Sequence, residues 1–354
     1  MHTEKMMNYV KAAGAQGLLL LNEANMHYVC GFSPSEGMIV VTPTAVYQLV
    51  DARYTETAMN HAKETGVQVT EFQSNIWEEL RHLLDRINCQ SLLFEDETIA
   101  YRQYSRLQDV FSGQLLPVGH AIMDLRNVKE PWEIEYMKTA NRIAEQAFTE
   151  LLNDVKPGKT EKKLAARFDY LMALGGSDGV SFDTILLTGA HTSMPHGVPS
   201  DKQVQDGDFV LFDFGATYRG YHSDMTRTVA VGQATDEMQA AYDLVLRAQL
   251  AGIQALHAGV ACKDVYQAAY DVLAEENMAQ YFRHSLGHGV GLEIHEGYCS
   301  APRSTDVYQV GNVTSVEPGI YLPDEFGIRI EDVLYLSPHG RENLSNVTKK
   351  LIVL

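Results

Sequence analysis

The sequence predicts two domains, a small α/β domain followed by a larger α+β domain that contains β-hairpins. Three observations support this fold class. A chain of 354 residues, 45% of them hydrophobic and 21% charged, can bury a sizeable core and is long enough for two domains. Strand-like and helix-like segments alternate up to about residue 121. Beyond it the pattern changes to long helices and paired apolar runs, so we place the boundary near Asp124, between domains at residues 1–123 and 124–354.

The first domain begins with a helix-like segment, which is followed by short apolar runs typical of buried strands. We expect strands at residues 17–21 and 38–41. Helical periodicity around residues 76–87 predicts a helix with one apolar face. This alternation indicates a small α/β domain.

The second domain begins with a helix, because Pro131 stands where proline is favoured in a first helical turn. Apolar residues then recur at helical spacing in residues 160–174 and 236–257. The segments that follow Gly207 and Gly311 have strand character. We therefore expect an α+β domain with hairpins.

Composition argues against two classes of partner. The net charge of -18 would repel nucleic-acid phosphates and anionic lipid head groups, so we expect neither nucleic acid nor a membrane as partner. The apolar run at residues 18–21 is far below the roughly 20 residues that cross a bilayer, and no signal-peptide pattern precedes it. The four cysteines are scattered, with no CxxC pair, which favours a reducing, cytoplasmic location.

The stretch FVLFDFGATYRGYHSDMTRTVAV, residues 209–231, contains two strand-like runs, each with an aspartate where an aliphatic residue is expected. An ionised carboxylate in a core costs several kcal/mol unless a cation or strong hydrogen bonds meet it. We expect a hairpin whose turn is centred on Tyr218 and Arg219. In that register Asp213 and Asp224 lie opposite each other, with Cβ atoms about 5 Å apart. Such charges repel, so either one is protonated or a polyvalent cation lies between them.

A second stretch repeats this pattern. In VTSVEPGIYLPDEFGIRIEDVLYL, residues 313–336, Glu317 and Glu331 stand symmetrically about Asp324 in a turn that contains proline. Two hairpins with inward carboxylate pairs offer four oxygen ligands, which suit hard divalent ions better than a sulfur-rich site would. Four negative charges nearly neutralise two dications.

A nitrogen ligand is expected from HSLGHGVGLEIHEG, which contains His284, His288 and His295 among glycines that allow close backbone approach. His284 and His288 have the four-residue spacing of a helical zinc pair. The glutamate that should follow the first histidine is absent and the glycines oppose a helix, so we reject that alternative.

The chain resembles the pita-bread metallopeptidases, specifically the Xaa-Pro dipeptidase and aminopeptidase P group. The resemblance lies in five motifs that occur in order: TGAHTSMPHGVPSD, FDFGATYRGYHSDMTRT, HSLGHGVGLEIHE, VEPGIYLP and GIRIEDV. It covers essentially all of residues 124–354, whereas the first domain is similar mainly in its size and in its pattern of alternating strand-like and helix-like segments. The resemblance implies a creatinase-like α/β domain and a pita-bread catalytic domain of the creatinase/aminopeptidase type. Relatives are commonly dimers, so we expect a homodimer.

The resemblance also implies a dinuclear centre with five ligands, none of which is replaced: Asp213, Asp224, His288, Glu317 and Glu331. In the family the first aspartate binds one metal, the second aspartate and the last glutamate bridge both, and the histidine and middle glutamate bind the other. The resemblance further implies that His196 and His295 hold the substrate and steady the tetrahedral intermediate. Arg329 lies on the same strand face as Glu331, where it either orients a metal carboxylate or simply balances charge.

Such a centre would present a bridging hydroxide to a scissile carbonyl, with Glu317 as the proton shuttle. His295 and one metal would polarise the carbonyl oxygen. Oxygen-rich ligands favour manganese, while cobalt, zinc and iron stay open. The preference for small peptides with proline at the second position is implied by the resemblance alone.

We therefore expect an Xaa-Pro dipeptidase. An Xaa-Pro aminopeptidase acting on longer peptides is the first alternative. A metal-free, creatinase-like hydrolase and a non-catalytic binding module that keeps the fold are the others, and the intact ligand set speaks against both.

Overall fold

The structure is a computed structural model that describes all 354 residues. The chain divides into two units, Met1–Leu125 and Arg126–Leu354, each with its own core. No helix combines the length and the apolar character that crossing a membrane requires.

The first unit is built on one mixed sheet. Its strands are β1 (Gly17–Leu20), β2 (Gly37–Val41), β3 (Val46–Val50), β4 (Gln68–Glu71), β5 (Ser91–Phe94) and β6 (Gln114–Pro117). They lie in the order β4-β3-β2-β1-β5-β6, antiparallel where β2 pairs with β1 and β3 and parallel elsewhere. The predicted strands at residues 17–21 and 38–41 are confirmed, and both are almost entirely buried.

Five helices alternate with these strands. They are α1 (Thr3–Ala12), α2 (Glu23–Cys30), α3 (Thr55–Thr65), α4 (Ile76–Arg86) and α5 (Tyr101–Val110). The helix predicted at residues 76–87 is α4, which begins where the Asn75 side chain accepts a hydrogen bond from the Trp77 backbone N–H. Its apolar face, with Leu80 and Leu83, packs into the core of this unit. The α/β class of the first unit is therefore confirmed.

The second unit has four long helices and thirteen strands. The helices are α7 (Pro131–Leu151), α8 (Glu161–Leu174), α9 (Asp236–Ala255) and α10 (Cys262–Glu275), and they follow α6 (Ala121–Asn127), which contains the point where the two units divide. As predicted, Pro131 is the first residue of α7. The periodic stretches at residues 160–174 and 236–257 correspond to α8 and α9, which begin at the N-caps Thr160 and Thr235.

The strands of the second unit form four small sheets. They are β7 (Gly179–Val180), β8 (Ile185–Thr188), β9 (Phe209–Phe214), β10 (Ala216–Tyr218), β11 (Tyr221–His222), β12 (Met225–Ala230), β13 (Gly287–Gly289), β14 (Glu296–Ser300), β15 (Val313–Val316), β16 (Gly319–Leu322), β17 (Phe326–Arg329), β18 (Asp332–Ser337) and β19 (Gly340–Asn343). The sheet orders are β11-β10-β7, β12-β9-β8, β14-β13-β15-β18-β19 and β16-β17. Helices and antiparallel hairpins thus make up the α+β catalytic-type domain that the sequence predicts.

Apolar side chains on alternate positions decide which way the acidic residues point. Phe212 and Phe214 pack against Phe148 of α7 and Phe168 of α8. Because successive side chains of a strand point to opposite faces, Asp213 between them faces away from these helices. Burial of the flanking phenylalanines therefore fixes the orientation of the carboxylate.

The register predicted for the first hairpin is wrong. Asp213 pairs with Thr226, and the ladder closes on a two-residue turn at Arg219 and Gly220, not at Tyr218 and Arg219. Both turn residues have positive φ, 50° and 80°, which this tight turn requires and which glycine adopts without strain. Moving the turn centre by one residue shifts every partner by two, so Asp224 is a diagonal neighbour of Asp213 on the same face.

The register predicted for the second hairpin is confirmed. In β15–β18 Val316 pairs with Asp332, and in β16–β17 Gly319 pairs with Arg329, so both ladders are symmetric about Asp324. Glu317 and Glu331 occupy matching positions between these ladders. At these positions the backbone N–H groups bond to residues outside the hairpin: that of Glu317 donates to the Leu286 carbonyl, and that of Glu331 donates to the Thr226 carbonyl.

Candidate functional site

Three of the predicted ligands meet in a small volume of the second unit. Asp224 precedes β12, His288 lies on β13 and Glu331 precedes β18. Each offers an oxygen or nitrogen atom, and these atoms all lie within 4.8 Å of one another. Two of the three residues are buried, and His288 is nearly so.

Glu317 joins this cluster through His288. The Nε2 atom of His288 lies 3.4 Å from Glu317 Oε1 and 3.5 Å from Asp224 Oδ2. On the other side of the ring, Nδ1 lies 3.1 Å from the Gly289 carbonyl oxygen. A carbonyl oxygen can only accept a hydrogen bond, so Nδ1 carries the proton. This tautomer leaves a lone pair on Nε2, directed at the carboxylates. Burial lowers the pKa of His288, which favours the same neutral form.

Asp213 is tied to the cluster by an arginine. The Nη2 atom of Arg329 lies 2.5 Å from Asp213 Oδ2, while Asp213 Oδ1 is buried and has no hydrogen-bond partner. The same guanidinium contacts the hydroxyl of Thr226, which donates a hydrogen bond to Glu331. Asp213 is therefore linked to Glu331 through Arg329 and Thr226.

The cluster contains more carboxylates than cationic side chains. Burial, followed by the neighbouring carboxylates, raises the pKa of Asp224 and of Glu331 well above the usual values. Burial raises the pKa of Glu317 to about 8, although Arg329 opposes this effect. Glu331 Oε1, like Asp213 Oδ1, is buried without a partner. Unpaired, converging oxygens beside an imidazole nitrogen are the donor set that a divalent metal requires.

Two hydroxyl groups that the sequence analysis missed each donate a hydrogen bond to one of the predicted glutamate ligands. Thr226 donates to Glu331 Oε2 at 2.7 Å, and Ser315 donates to Glu317 Oε1 at 3.1 Å. Thr226 stands two residues after Asp224 on the same strand face, and Ser315 stands two residues before Glu317. That spacing was the available signal, but serine and threonine are common in strands and the signal is weak.

Arg329 connects the acidic cluster to the loop that carries His196. Besides Asp213, its guanidinium contacts the hydroxyl of Thr226 at 3.1 Å, the hydroxyl of Tyr321 at 2.6 Å and the carbonyl of Pro195 at 3.5 Å. Burial acts to lower the pKa of Arg329, but Tyr321 and Asp213 raise it well above its usual value. Arg329 is therefore a permanent cation that contacts one predicted ligand directly.

The other three histidines occupy different positions. The centroid of the His295 ring lies 4.1 Å from that of His288, and the two rings are edge to face. His295 is exposed to solvent. His196 is also exposed, and burial lowers the pKa of His295. Burial lowers the pKa of His284 to about 4, and this ring accepts a hydrogen bond from Tyr321 at 2.9 Å. His284 thus supports Tyr321, while His295 and His196 remain accessible.

A buried glutamate, also missed from the sequence, closes the loop that carries His196. Glu161 is fully buried and accepts hydrogen bonds from the backbone N–H groups of Thr188 and Ser200, each at 2.8 Å. The His191 ring lies 2.9 Å from the same carboxylate. Because Thr188 and Ser200 flank the loop, Glu161 holds both of its ends together.

Family models match both units. A model described as "Metallopeptidase family M24" matches residues 135–338. A model described as "Creatinase/Prolidase N-terminal domain" matches residues 3–128.

Relatives match the chain over its whole length. "Uncharacterized peptidase YqhT" of Bacillus subtilis (strain 168) is 36% identical, with 100% of both chains covered. The solved structure of an Xaa-Pro dipeptidase from Bacillus anthracis is 35% identical with a TM-score of 0.94, and the match covers 100% of this chain and 99% of that one. That of an X-Pro aminopeptidase from Thermotoga maritima MSB8 is 33% identical with a TM-score of 0.93, and 100% of both chains is covered.

Proposed function

The chain belongs to metallopeptidase family M24, and we propose that it is an Xaa-Pro dipeptidase, which hydrolyses the bond before proline in small peptides. The observation that carries the proposal is the buried acidic cluster around His288, in which Asp213 and Glu331 each have an oxygen without a partner. Similarity to the Bacillus anthracis Xaa-Pro dipeptidase supports the substrate.

Members of this family use divalent metal ions, and the donor set fits them. We propose two ions, held by the five predicted ligands: Asp213, Asp224, His288, Glu317 and Glu331. Four carboxylates nearly neutralise two dications, and their hard oxygen atoms suit Mn²⁺, with Co²⁺, Zn²⁺ or Fe²⁺ as substitutes. When bound, such ions lower the pKa of water and polarise a carbonyl group.

Glu317 is the proposed proton shuttle. Hydrolysis adds the oxygen of water to the scissile carbonyl carbon and breaks its bond to the proline nitrogen. Glu317 takes the proton that water releases and passes it to that nitrogen, which leaves as an amine. Ser315 orients the glutamate by its hydrogen bond to Oε1.

The exposed histidines hold the substrate. His295, beside His288, donates an N–H to the carbonyl oxygen as negative charge develops there, and His196 holds the peptide from the opposite loop. Arg329 orients Asp213 and ties the His196 loop to the cluster through the Pro195 carbonyl. The proline bond carries no N–H, so the site needs no acceptor for one.

An Xaa-Pro aminopeptidase that acts on longer peptides is the second candidate, favoured by the similarity to the Thermotoga maritima X-Pro aminopeptidase. A metal-free, creatinase-like hydrolase has less support, because such an enzyme does not require converging unpaired carboxylate oxygens.

We also propose a creatinase-like domain at residues 1–123 and a catalytic domain at 124–354, supported by the division after Leu125. A cytoplasmic location is supported by four unpaired cysteines. A homodimer is proposed from the resemblance alone.

A peptide length series tests the function. With Mn²⁺ present, the enzyme should cleave Xaa-Pro dipeptides and act far more slowly on Xaa-Pro-Yaa and on Xaa-Ala. Faster turnover of Xaa-Pro-Yaa would select the aminopeptidase. Activity that survives exhaustive chelation would reject both metal-dependent candidates.

A further inference from the structure

A buried ion pair lies behind the acidic cluster on the same two strands. Arg227 and Asp332 are 1% and 0% exposed, and Arg227 Nη2 lies 2.8 Å from Asp332 Oδ1. Their chain neighbours Thr226 and Glu331 form the hydrogen bond on the cluster side. Because successive side chains of a strand point to opposite faces, each strand contributes one residue to the front pair and one to the rear pair.

Arg227 fastens the backbone of the cluster to the C-terminal segment of the chain. Its Nη1 donates to the main-chain oxygen of Thr226 at 2.9 Å and to that of Glu331. Its Nε donates to the main-chain oxygen of Thr348 at 3.1 Å, and its Nη2 to that of Val347 at 2.9 Å. A planar guanidinium with five N–H groups can join several carbonyls in one fixed geometry.

Asp332 anchors the second strand to the same segment. Besides Arg227, its carboxylate accepts hydrogen bonds from three side chains: Gln249 at 3.1 Å, Asn343 at 2.8 Å and Lys349 at 2.7 Å. Asn343 is exposed, and 22% of the Lys349 side chain is exposed, so both residues connect the network to the surface. The network therefore runs from the surface at Lys349 to the backbone of Glu331.

We propose that residues 347–349 position Glu331 through Arg227 and Asp332, and thereby set the affinity of the centre for divalent metal. A carboxylate whose backbone is held from behind needs little reorganisation when an ion binds, and partners one layer outside the ligands commonly control metal affinity. The inference rests on the proposed metal centre. If residues 347–349 had only a structural role, removing their contacts would change the stability of the protein and leave its metal affinity unaltered.

Two matched variants separate these roles. Lys349→Met removes the donor to Asp332, whereas Lys350→Met removes the same charge from an exposed neighbour. Full-length proteins are dialysed to equilibrium against Mn²⁺ buffered by a chelator, and bound metal is measured by atomic absorption. We expect Lys349→Met to bind Mn²⁺ about ten-fold more weakly than wild type, Lys350→Met to match wild type, and Lys349→Arg to restore most of the affinity. The visible spectrum of the Co²⁺-loaded protein should change only in Lys349→Met.

Melting temperatures of the same proteins complete the test. If Lys349→Met binds Mn²⁺ as tightly as Lys350→Met, whatever its melting temperature, the positioning role is overturned. If wild type and Lys350→Met bind no Mn²⁺ either, the metal centre itself is wrong and the inference falls with it. The two failures are therefore distinguishable.

Discussion

Replacing Glu296 by glutamine would measure how strongly a buried ion network stabilises the second unit. Glu296 begins β14 directly after His295 and is 5% exposed. Its carboxylate contacts Arg126 and lies 2.5 Å from Lys129 Nζ. Burial acts to raise the pKa of Glu296, but the charges of Lys129 and Arg126 outweigh it and lower the value to about 2.

The lowered pKa gives the expected magnitude. The difference between the usual value of 4.5 and about 2 corresponds to about 3 kcal/mol, since each pKa unit is worth about 1.4 kcal/mol. Because the pKa is lowered in the folded state, this stabilisation is complete well above pH 4.5 and is lost as the pH falls toward 2. Glu296→Gln also leaves Arg126 and Lys129 undercompensated, so we expect a loss of about 3 to 5 kcal/mol at pH 7.

Urea unfolding followed by tryptophan fluorescence is the assay. The chain has two tryptophans, Trp77 in the first unit and Trp132 in the second, so a Trp77→Phe background reports the second unit alone. The control is Glu342→Gln, whose surface pair with Lys138 is worth less than about 1 kcal/mol. Equal midpoints for the two variants at pH 7 would refute the reasoning. The reasoning would also be refuted if the loss of unfolding free energy in Glu296→Gln were not smaller at pH 3.5 than at pH 7, by roughly 1.5 kcal/mol.

Three further changes address the cluster and its scaffold. Asp213→Asn should lose bound metal and nearly all activity while keeping its circular dichroism spectrum; substantial turnover in this variant would count against the assigned site. His295→Ala should keep its metal and lower kcat by about 100-fold, as loss of an oxyanion contact does, and reduced metal content would show that its role is misassigned. Gly287→Ala should destabilise the second unit by roughly 3 kcal/mol, because the added Cβ would lie 1.9 Å from the Ser315 carbonyl oxygen. Gly179→Ala, which meets open space, is its control, and equal urea midpoints would contradict the predicted clash.

The two hairpins show how far local pattern predicts register. The second was predicted correctly because its carboxylates, its apolar runs and its turn at Asp324 are all symmetric about one residue. The first has the same apolar alternation, but its centre depends on which residues accept positive φ. Gly220 moves the turn by one position, and Asp213 then pairs with Thr226 instead of Asp224.

Long-range partners left no such pattern. Arg329 was assigned to the same face as Glu331 from spacing alone, but its contacts with Asp213 and the Pro195 carbonyl join segments more than 100 residues apart. Glu161, which closes the His196 loop, looks in the sequence like an ordinary acidic residue in a first helical turn. Its backbone partners become visible only once the loop is folded over it.

The sequence by itself determined the two-domain fold class and which strands carry acidic residues among apolar ones, because alternation and turn chemistry act over a few neighbouring residues. Tertiary structure alone decided that Asp224, Glu317 and Glu331 meet His288, that Asp213 Oδ1 and Glu331 Oε1 lack partners, and that Arg227 ties the backbone of Glu331 to residues 347–348. Those outcomes depend on packing between strands far apart in the chain, where hydrogen-bond geometry, and not local preference, selects the partner.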